Sequence, residues 1–266
     1  MTRGIRQAFA PVMIAAGLIA AWEITLRLAH VPGYVLPRPS AIAQKAVSDW
    51  PVLATGIATT MAEAGAGFLL GNLIGFALAV VLFYRPALRR VAMLPMVAAN
   101  SVPAVAFAPV VILWLGSGMA SKIVLVAFIT AFIMLQNELQ GLRQVDAQAV
   151  NVLRSFGARE GRIFWMLRFP ASLPYLFTAL RLGSIRSVII AIVAEMLGAY
   201  RGIGWVIFET TASMDYSRLW AAVAAASVAG VLFFALVSAL ERRWVWWHVS
   251  VSGMSRRTRQ QTRGNA

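Results

Sequence analysis

The chain has 266 residues, of which 60% are hydrophobic and only 13% charged. Its mean hydropathy of +0.73 lies outside the usual range for a soluble domain. The net charge of +14 does not indicate nucleic-acid binding, because the arginines cluster in short segments between apolar runs. The absence of cysteine excludes disulfides, zinc-thiolate sites and iron-sulfur clusters, and two histidines leave little for a metal or haem site. These features predict an all-α integral membrane protein.

Six apolar stretches are long enough to cross ~30 Å of hydrocarbon. They cover residues 9–29, 60–83, 92–115, 121–136, 177–199 and 219–240. An even number of spans places both termini on one side. Connections 1–8, 84–91, 137–176 and 241–266 carry 16 Lys and Arg residues, whereas the other three carry five. The positive-inside rule therefore places the first set and both termini in the cytoplasm. The whole chain, 1–266, is predicted to be one transmembrane domain.

The second span carries glycine at every fourth position, at Gly67, Gly71 and Gly75. This spacing aligns the glycines on one helical face, where a neighbouring backbone can come close. It predicts tight helix packing.

The third span contains Pro95, Pro103 and Pro109, so it is expected to be kinked or broken. Interrupted membrane helices often line a pathway. Asn100 and Ser101 lie between two of these prolines, so they are candidate pathway residues together with Pro103. A kink that serves only packing is the alternative.

Glu195 lies near the end of the fifth span, where a carboxylate is expensive in hydrocarbon and must face the bundle or water. Two interpretations stay open: a pathway residue, or a structural residue that is hydrogen-bonded or ion-paired. Arg181, Arg186 and Arg201 are the candidate ion-pair partners. Glu23 and Arg27, four residues apart in the first span, are predicted to pair.

The loop 137–176 is the longest basic connection and has internal order. Asp146 is a good N-cap for a helix that runs to Phe156, and Gly157 ends it. A second helix is predicted from Arg159 to Arg168, with Pro170 and Pro174 breaking it before the next span. Val150, Leu153 and Phe156 form an apolar stripe on the first helix. A short amphipathic helix of this kind fits a groove on another protein.

These residues also carry a family resemblance. Gly157, nine residues, Leu167, one residue and then Phe169-Pro170 resembles the cytoplasmic signature of permease subunits of binding-protein-dependent ABC importers. Further segments look like the nitrate, sulfonate and taurine branch of that family: Leu36-Pro37-Arg38-Pro39-Ser40, Val102 to Pro109 with Trp114-Leu115-Gly116, Ala194-Glu195 with Gly202-Ile203-Gly204, and Glu241-Arg242-Arg243. Where the family signature has Glu-Ala-Ala, this chain has Asn151-Val152-Leu153.

The resemblance implies a type I ABC importer permease in a bacterial inner membrane. Two such chains, expected to be a homodimer, would form the pathway, two ATPase subunits would bind the cytoplasmic hairpins, and a periplasmic or surface binding protein would deliver a small solute such as a sulfonate, taurine or nitrate. It assigns ATPase coupling to Asn151, Val152, Leu153, Arg154 and Gly157, with Pro170 returning the chain to the membrane.

The chain lacks a phosphate-binding loop, so ATP and Mg²⁺ are expected on the partner ATPase and no catalysis or cofactor on this chain. The rival hypothesis is a stand-alone ion-coupled secondary transporter or channel, in which the basic loop only sets orientation. Such carriers usually place several ionisable groups in the middle of the membrane, and here Glu195 is nearly alone. The basic tail 253–266 is predicted to be disordered.

Overall fold

A computed structural model describes residues 2–244, with side chains described for 13–98, 101–103 and 105–243. Every regular element in this part of the chain is helical. The helices are α1 (Thr2–Leu28), α2 (Pro39–Ser48), α3 (Trp50–Tyr84), α4 (Pro86–Ser101), α5 (Ala104–Leu115), α6 (Met119–Arg143), α7 (Ala147–Ser155), α8 (Glu160–Ile163), α9 (Phe169–Gly198), α10 (Ile203–Ala212) and α11 (Tyr216–Trp244). The tail predicted to be disordered lies outside the described residues.

Four of the described helices are long and apolar enough to cross a membrane. They are Trp50–Tyr84, Met119–Arg143, the continuous helix Glu160–Gly198 and Tyr216–Arg243. The predicted all-α membrane fold is thus confirmed, while the count of six spans stays a prediction. One end of the bundle carries the α6–α7–α8 connection and is called the hairpin end. The other carries the α2–α3, α5–α6 and α9–α10 connections and is called the opposite end.

The helices α3, α6 and α9 form the centre of the bundle, and the glycine stripe of α3 faces α6. A Cβ added at Gly67 would lie 2.5 Å from Cβ of Val126, and one at Gly75 would lie 2.8 Å from Cβ of Met134. Distances this short require glycine, because any side chain would overlap with the neighbouring helix. The predicted tight packing is confirmed, and its partner is α6.

The third predicted span is broken into two helices. Val102 has an extended backbone (φ −79°, ψ 129°) between α4 and α5, and Pro103 is the N-cap of α5. Pro95 and Pro109 lie inside their helices. Of the three prolines, only Pro103 coincides with the break. A proline disfavours helical geometry at the residue before it, which here is Val102.

The prediction that Pro170 and Pro174 end the second loop helix is wrong. The helix that begins at Glu160 runs without interruption to Gly198. Residues Phe164–Arg168 form a π-helical segment directly before Pro170, in which the amide of Phe169 donates to the carbonyl of Phe164. A π turn is wider than an α turn, so it can accommodate a proline ring that would clash in a regular helix.

Ion pairs fasten the opposite end of the bundle. Asp49, just before α3, accepts a hydrogen bond from Arg218 of α11, and Lys45 lies 3.4 Å from both Asp49 and Asp215. The Arg218 guanidinium holds the pKa of the Asp49 carboxyl below its usual value. This contact is therefore at full strength at neutral pH and weakens as the pH falls through that lowered pKa. The predicted pair of Glu23 and Arg27 is confirmed at 2.8 Å.

Replacing Gly71 by alanine should destabilise the bundle. A Cβ at this position would lie 2.8 Å from Cα of Ala127 and overlap with Thr130, so α3 and α6 would have to separate. We expect a loss of about 1–3 kcal/mol, seen as a lower thermal unfolding midpoint of the protein in detergent. Gly65→Ala is the matched control, because a Cβ there meets no described atom within 4 Å. Equal midpoints for the two variants would contradict the proposed packing.

Candidate functional site

The first candidate site is the hairpin formed by α7, its following turn and α8. The carboxylate of Asp146 accepts a hydrogen bond of 3.0 Å from the amide of Gln148, which confirms the predicted N-cap of α7. The Arg154 guanidinium donates to Oε1 of Glu160 at 2.6 and 2.9 Å, so an ion pair joins the two helices. Both partners are about half exposed, so this pair orients the hairpin more than it stabilises it.

Gly157 ends α7 through its backbone geometry. Its φ of +75° lies in the left-handed region, where a side chain is strained. The amide of Gly157 donates to the carbonyl of Arg154 at 2.9 Å, and the amide of Ala158 donates to the carbonyl of Leu153 at 3.0 Å. This pair of bonds is the Schellman motif. The predicted stop is confirmed, and it sets the angle between α7 and α8.

The apolar stripe on α7 divides between the protein and the solvent. Val150 is 6% exposed and packs inward, Leu153 is half-buried, and Phe156 is 82% exposed at the tip. Asn151, Val152 and Arg154 are exposed. One face of α7 is therefore anchored, and the opposite face, together with Phe156, is free to contact another protein.

The base of the hairpin is anchored in the bundle. Ile163 is fully buried, Phe164 packs at 6.4 Å between ring centroids on Tyr84, and the Arg168 guanidinium lies 4.6 Å above the ring of Phe83. Pro170 lies here, half-buried at the start of α9, and not on the exposed face of α7. The continuous helix from Glu160 links the hairpin rigidly to the centre of the bundle.

The second candidate site is a buried polar cluster at the opposite end. Glu195 is fully buried. Its carboxylate accepts hydrogen bonds from Oγ1 of Thr60 at 2.7 and 2.9 Å and from the amide of Gly204 at 2.7 Å. The Thr60 hydroxyl oxygen in turn accepts from the amide of Ile203 at 2.9 Å. These bonds join α3, α9 and the first turn of α10.

This geometry agrees with the interpretation of Glu195 as a hydrogen-bonded structural residue, and its assignment to the pathway stays a prediction. None of the three arginines considered as partners forms an ion pair with it among the described residues. Arg181 pairs instead with Glu241 at 3.1 Å. A carboxylate at the amino end of α10 also interacts favourably with the helix dipole.

Sequence reasoning missed Thr60 and underrated Lys122. Thr60 lies 135 residues before Glu195, and only the three-residue spacing of Thr60 and Glu63 on α3 hinted at a shared polar face. Lys122 is fully buried, and its ammonium group donates to the carbonyls of Ser117 at 2.6 Å and Gly198 at 2.8 Å. It therefore ties the start of α6 to the end of α9.

The assignment of Asn100, Ser101, Pro103 and Glu195 to a pathway stays a prediction. The Ser101 hydroxyl donates to the carbonyl of Val97 in its own helix at 2.9 Å and is exposed. Pro103 is exposed at the break between α4 and α5, and the side chain of Asn100 lies outside the described residues. Glu195 instead faces α3 and α10.

Replacing Gly157 by alanine should loosen the end of α7. A non-glycine residue in the left-handed region costs roughly 1–2 kcal/mol. We expect the backbone amides of residues 157 and 158 to exchange with solvent at least about fivefold faster than in the unmodified protein. Hydrogen-exchange mass spectrometry measures this rate. Gly161→Ala is the control, since its added Cβ meets nothing within 4 Å in the part of the chain that the structure describes. Unchanged exchange in Gly157→Ala would refute the assigned role of the turn.

Replacing Thr60 by valine should destabilise the opposite end. The change leaves the Ile203 amide without a partner and removes a donor from Glu195, which costs about 1–3 kcal/mol. The expected result is a lower thermal unfolding midpoint in detergent. Thr59→Val is the control, since among the described residues the Thr59 hydroxyl bonds only to the carbonyl of Thr55 in its own helix. If both variants unfold at the same temperature, the cluster does not support the fold.

Comparisons with known proteins agree with this architecture. The formylaminopyrimidine transport permease protein ThiX of Halalkalibacterium halodurans is 29% identical over 91% of this chain and 96% of its own length. The taurine transport system permease protein TauC of Escherichia coli is 24% identical over 92% of each chain. A chain of the inward-facing MetNI methionine ABC transporter is similar in fold, with a TM-score of 0.65, 18% identity, and coverage of 73% of this chain and 96% of that chain.

The family comparison identifies the family of this chain. The family described as binding-protein-dependent transport system inner membrane component matches residues 71–246, which is more than half of the chain. Membership makes the chain a multi-pass membrane subunit that works with a solute-binding protein and with an ATPase on another chain, and it decides against a stand-alone carrier or channel. The chain belongs to the family of binding-protein-dependent transport system inner membrane components, the permease subunits of ABC importers.

Proposed function

We propose that two copies of this chain form the translocation pathway of an importer for a small solute, and that α7 receives the closing motion of the ATPase. The observation that carries the coupling role is the exposed face of α7 on an anchored base. Val152 is 54% exposed and Phe156 is 82% exposed, whereas Val150, Ile163 and Phe164 are buried. An apolar, solvent-facing surface of this kind fits a groove on a partner.

The proposed contact consists of Asn151, Val152, Leu153 and Arg154, with Gly157 fixing the angle of the hairpin. Asn151-Val152-Leu153 replaces the Glu-Ala-Ala of the family signature, so the contact relies on an amide and two apolar side chains where a carboxylate is usual. Pro170 contributes indirectly, since it lies at the base of α9. ATP and Mg²⁺ would bind only to the ATPase.

The proposed orientation places the hairpin end and both termini in the cytoplasm. Arginines concentrate at this end, including Arg85 between α3 and α4 and Arg89 and Arg90 in the first turns of α4. The opposite end has few cations, and two of these, Lys45 and Arg218, pair with Asp49. This asymmetry supports a cytoplasmic hairpin end in a bacterial inner membrane.

The proposed cargo is a small polar solute of the kind named for the relatives. Those relatives are named for taurine and for formylaminopyrimidine, and another, SsuC of Bacillus subtilis, is named for aliphatic sulfonates. Sulfonates, taurine, nitrate and amino-pyrimidines are therefore the solutes to test first. ATP-dependent uptake into proteoliposomes that contain the permease, its ATPase and its binding protein would test the transport function.

Val152→Asp should release the ATPase. A carboxylate at the centre of an apolar contact costs several kcal/mol, which corresponds to at least about tenfold weaker binding. The measurement is recovery of the ATPase with the tagged permease after detergent extraction.

The matched control is Val47→Asp on α2, because Val47 is 79% exposed and lies at the opposite end. It should recover as much ATPase as the unmodified protein. Equal recovery with both variants would show that α7 is not the docking site.

A further inference from the structure

Two neighbouring cavities lie in the groove between α4 and α6, and their walls differ in polarity. The first, of about 490 Å³, is lined by apolar side chains of α3, α4 and α6, among them Ile74, Met96 and Phe132. The second, of about 600 Å³, lies nearer the hairpin end and is lined by Met93, Gln136, Leu139, Gln140, Arg143 and Gln144. Both volumes lie within the range of small-molecule sites. Neither the family assignment nor the proposed coupling role accounts for these cavities.

The two cavities follow one another along the same face of α6. Phe132 of the apolar cavity and Gln136 of the polar cavity are four residues apart, a spacing that places them one above the other on a helix. On α4, which begins at the hairpin end, Met96 lines the first cavity and Met93 lines the second. The groove therefore changes from apolar to polar as it approaches the hairpin end.

The polar cavity is built from amides and a guanidinium group. Gln136, Gln140 and Gln144 recur at every fourth position, so three exposed amides stand in one row on α6. Arg143 is exposed beside them and forms no ion pair in the part of the chain that the structure describes. Amide and guanidinium N–H groups donate hydrogen bonds, and the guanidinium fork matches phosphate oxygens. This wall is therefore suited to a phosphate group.

Two further cations come from the start of α4. Arg89 lies one turn before Met93 on the same face of the helix, and Arg90 follows it. Neither forms an ion pair with any described carboxylate. The first turn of α4 has no acidic residue, so these arginines meet the positive end of the helix dipole without compensation. An anion bound between α4 and the end of α6 would relieve this repulsion.

The depth of the apolar cavity fits a hydrocarbon chain. At roughly 1.5 Å per residue, the part of α6 that lines it, from Leu135 back to Val124, lies about 12–28 Å from Arg143. Half of the hydrocarbon core of a bilayer is about 15 Å thick. A chain whose headgroup lies at Arg143 therefore enters the cavity near Leu135 and reaches Phe132. A free anion would leave the apolar half of the groove unfilled.

We propose that this groove binds an anionic phospholipid from the leaflet at the hairpin end, with its phosphate on Arg143 and the glutamine row and an acyl chain in the apolar cavity. Basic pockets between membrane helices bind headgroups of this kind. The groove selects phosphatidylglycerol over phosphatidylethanolamine, because the ammonium group of the latter would lie among the arginines. The inference goes beyond the proposed transport function and does not depend on the cargo.

The test uses the purified permease–ATPase complex, freed of lipid in detergent, with native mass spectrometry to measure the lipid bound. The probes are phosphatidylglycerol and phosphatidylethanolamine with the same acyl chains. The unmodified complex should bind phosphatidylglycerol at least about tenfold more tightly, the size expected for hydrogen bonds between charged groups. Phosphatidylglycerol with short acyl chains should bind more weakly, because it buries less apolar surface in the groove.

A pair of arginine variants locates the headgroup. Arg143→Gln should weaken the binding of phosphatidylglycerol by about tenfold and leave that of phosphatidylethanolamine unchanged. Arg242→Gln is the matched control, because Arg242 is an exposed arginine in the last turn of α11, at the same end of the bundle but outside the groove. It should bind phosphatidylglycerol like the unmodified protein.

The other possible occupants of the groove are outcomes of the same test. Displacement of phosphatidylglycerol by an equal concentration of glycerol 1-phosphate would show that a free anion suffices, and absence of lipid binding to the assembled complex would indicate that a second copy covers the groove. Either result would overturn the lipid site, as would equal binding of the two lipids or an equal effect of the two arginine variants. The transport function is tested separately by ATP-dependent uptake, so it would survive each of these results.

Discussion

The close approach of α3 and α6 is the constraint on which both ends of the molecule depend. The two helices run in the same direction, and Gly67, Gly71 and Gly75 allow contact between their backbones where a side chain would prevent it. One turn before Gly67 lies Glu63, and one turn before its contact Val126 lies Lys122. Without the glycines, the buried ammonium group and the carboxylates of the opposite end could not share one cluster.

The same pairing supports the hairpin end. Ala79 and Leu82 of α3 pack with Leu135 and Leu139 of α6, and the first turns of the long helix from Glu160 lie against the end of α3. A displacement of α7 must therefore act through α8 and the π-helical segment on α9, because the elements between them are packed. A rigid connection of this kind is what a subunit driven by a partner's motion requires.

The two buried glutamates at the opposite end, Glu63 and Glu195, differ in their hydrogen-bond partners. Glu195 has its oxygens occupied by Thr60 and the amino end of α10, so it stabilises the fold. Glu63 lies beside Glu195, and its buried Oε2 has no other hydrogen-bond donor among the described residues. The difference is not in the residue type or in the depth of burial, since both side chains are nearly inaccessible. It lies in which donors the neighbouring helices bring close.

The sequence by itself determined the features that depend on near neighbours along the chain. The membrane class follows from composition, the N-cap at Asp146 and the left-handed turn at Gly157 from residue preferences, and the interruption of the third predicted span from its prolines. Tertiary structure decided the rest. The partners of Glu195 lie up to 135 residues away, and the helix passes through Pro170 because a π turn precedes it. The position of Glu63 beside Glu195 also became evident only in three dimensions. A sequence records the residue types that can satisfy a buried charge, but only the packing of helices decides which of them reach it.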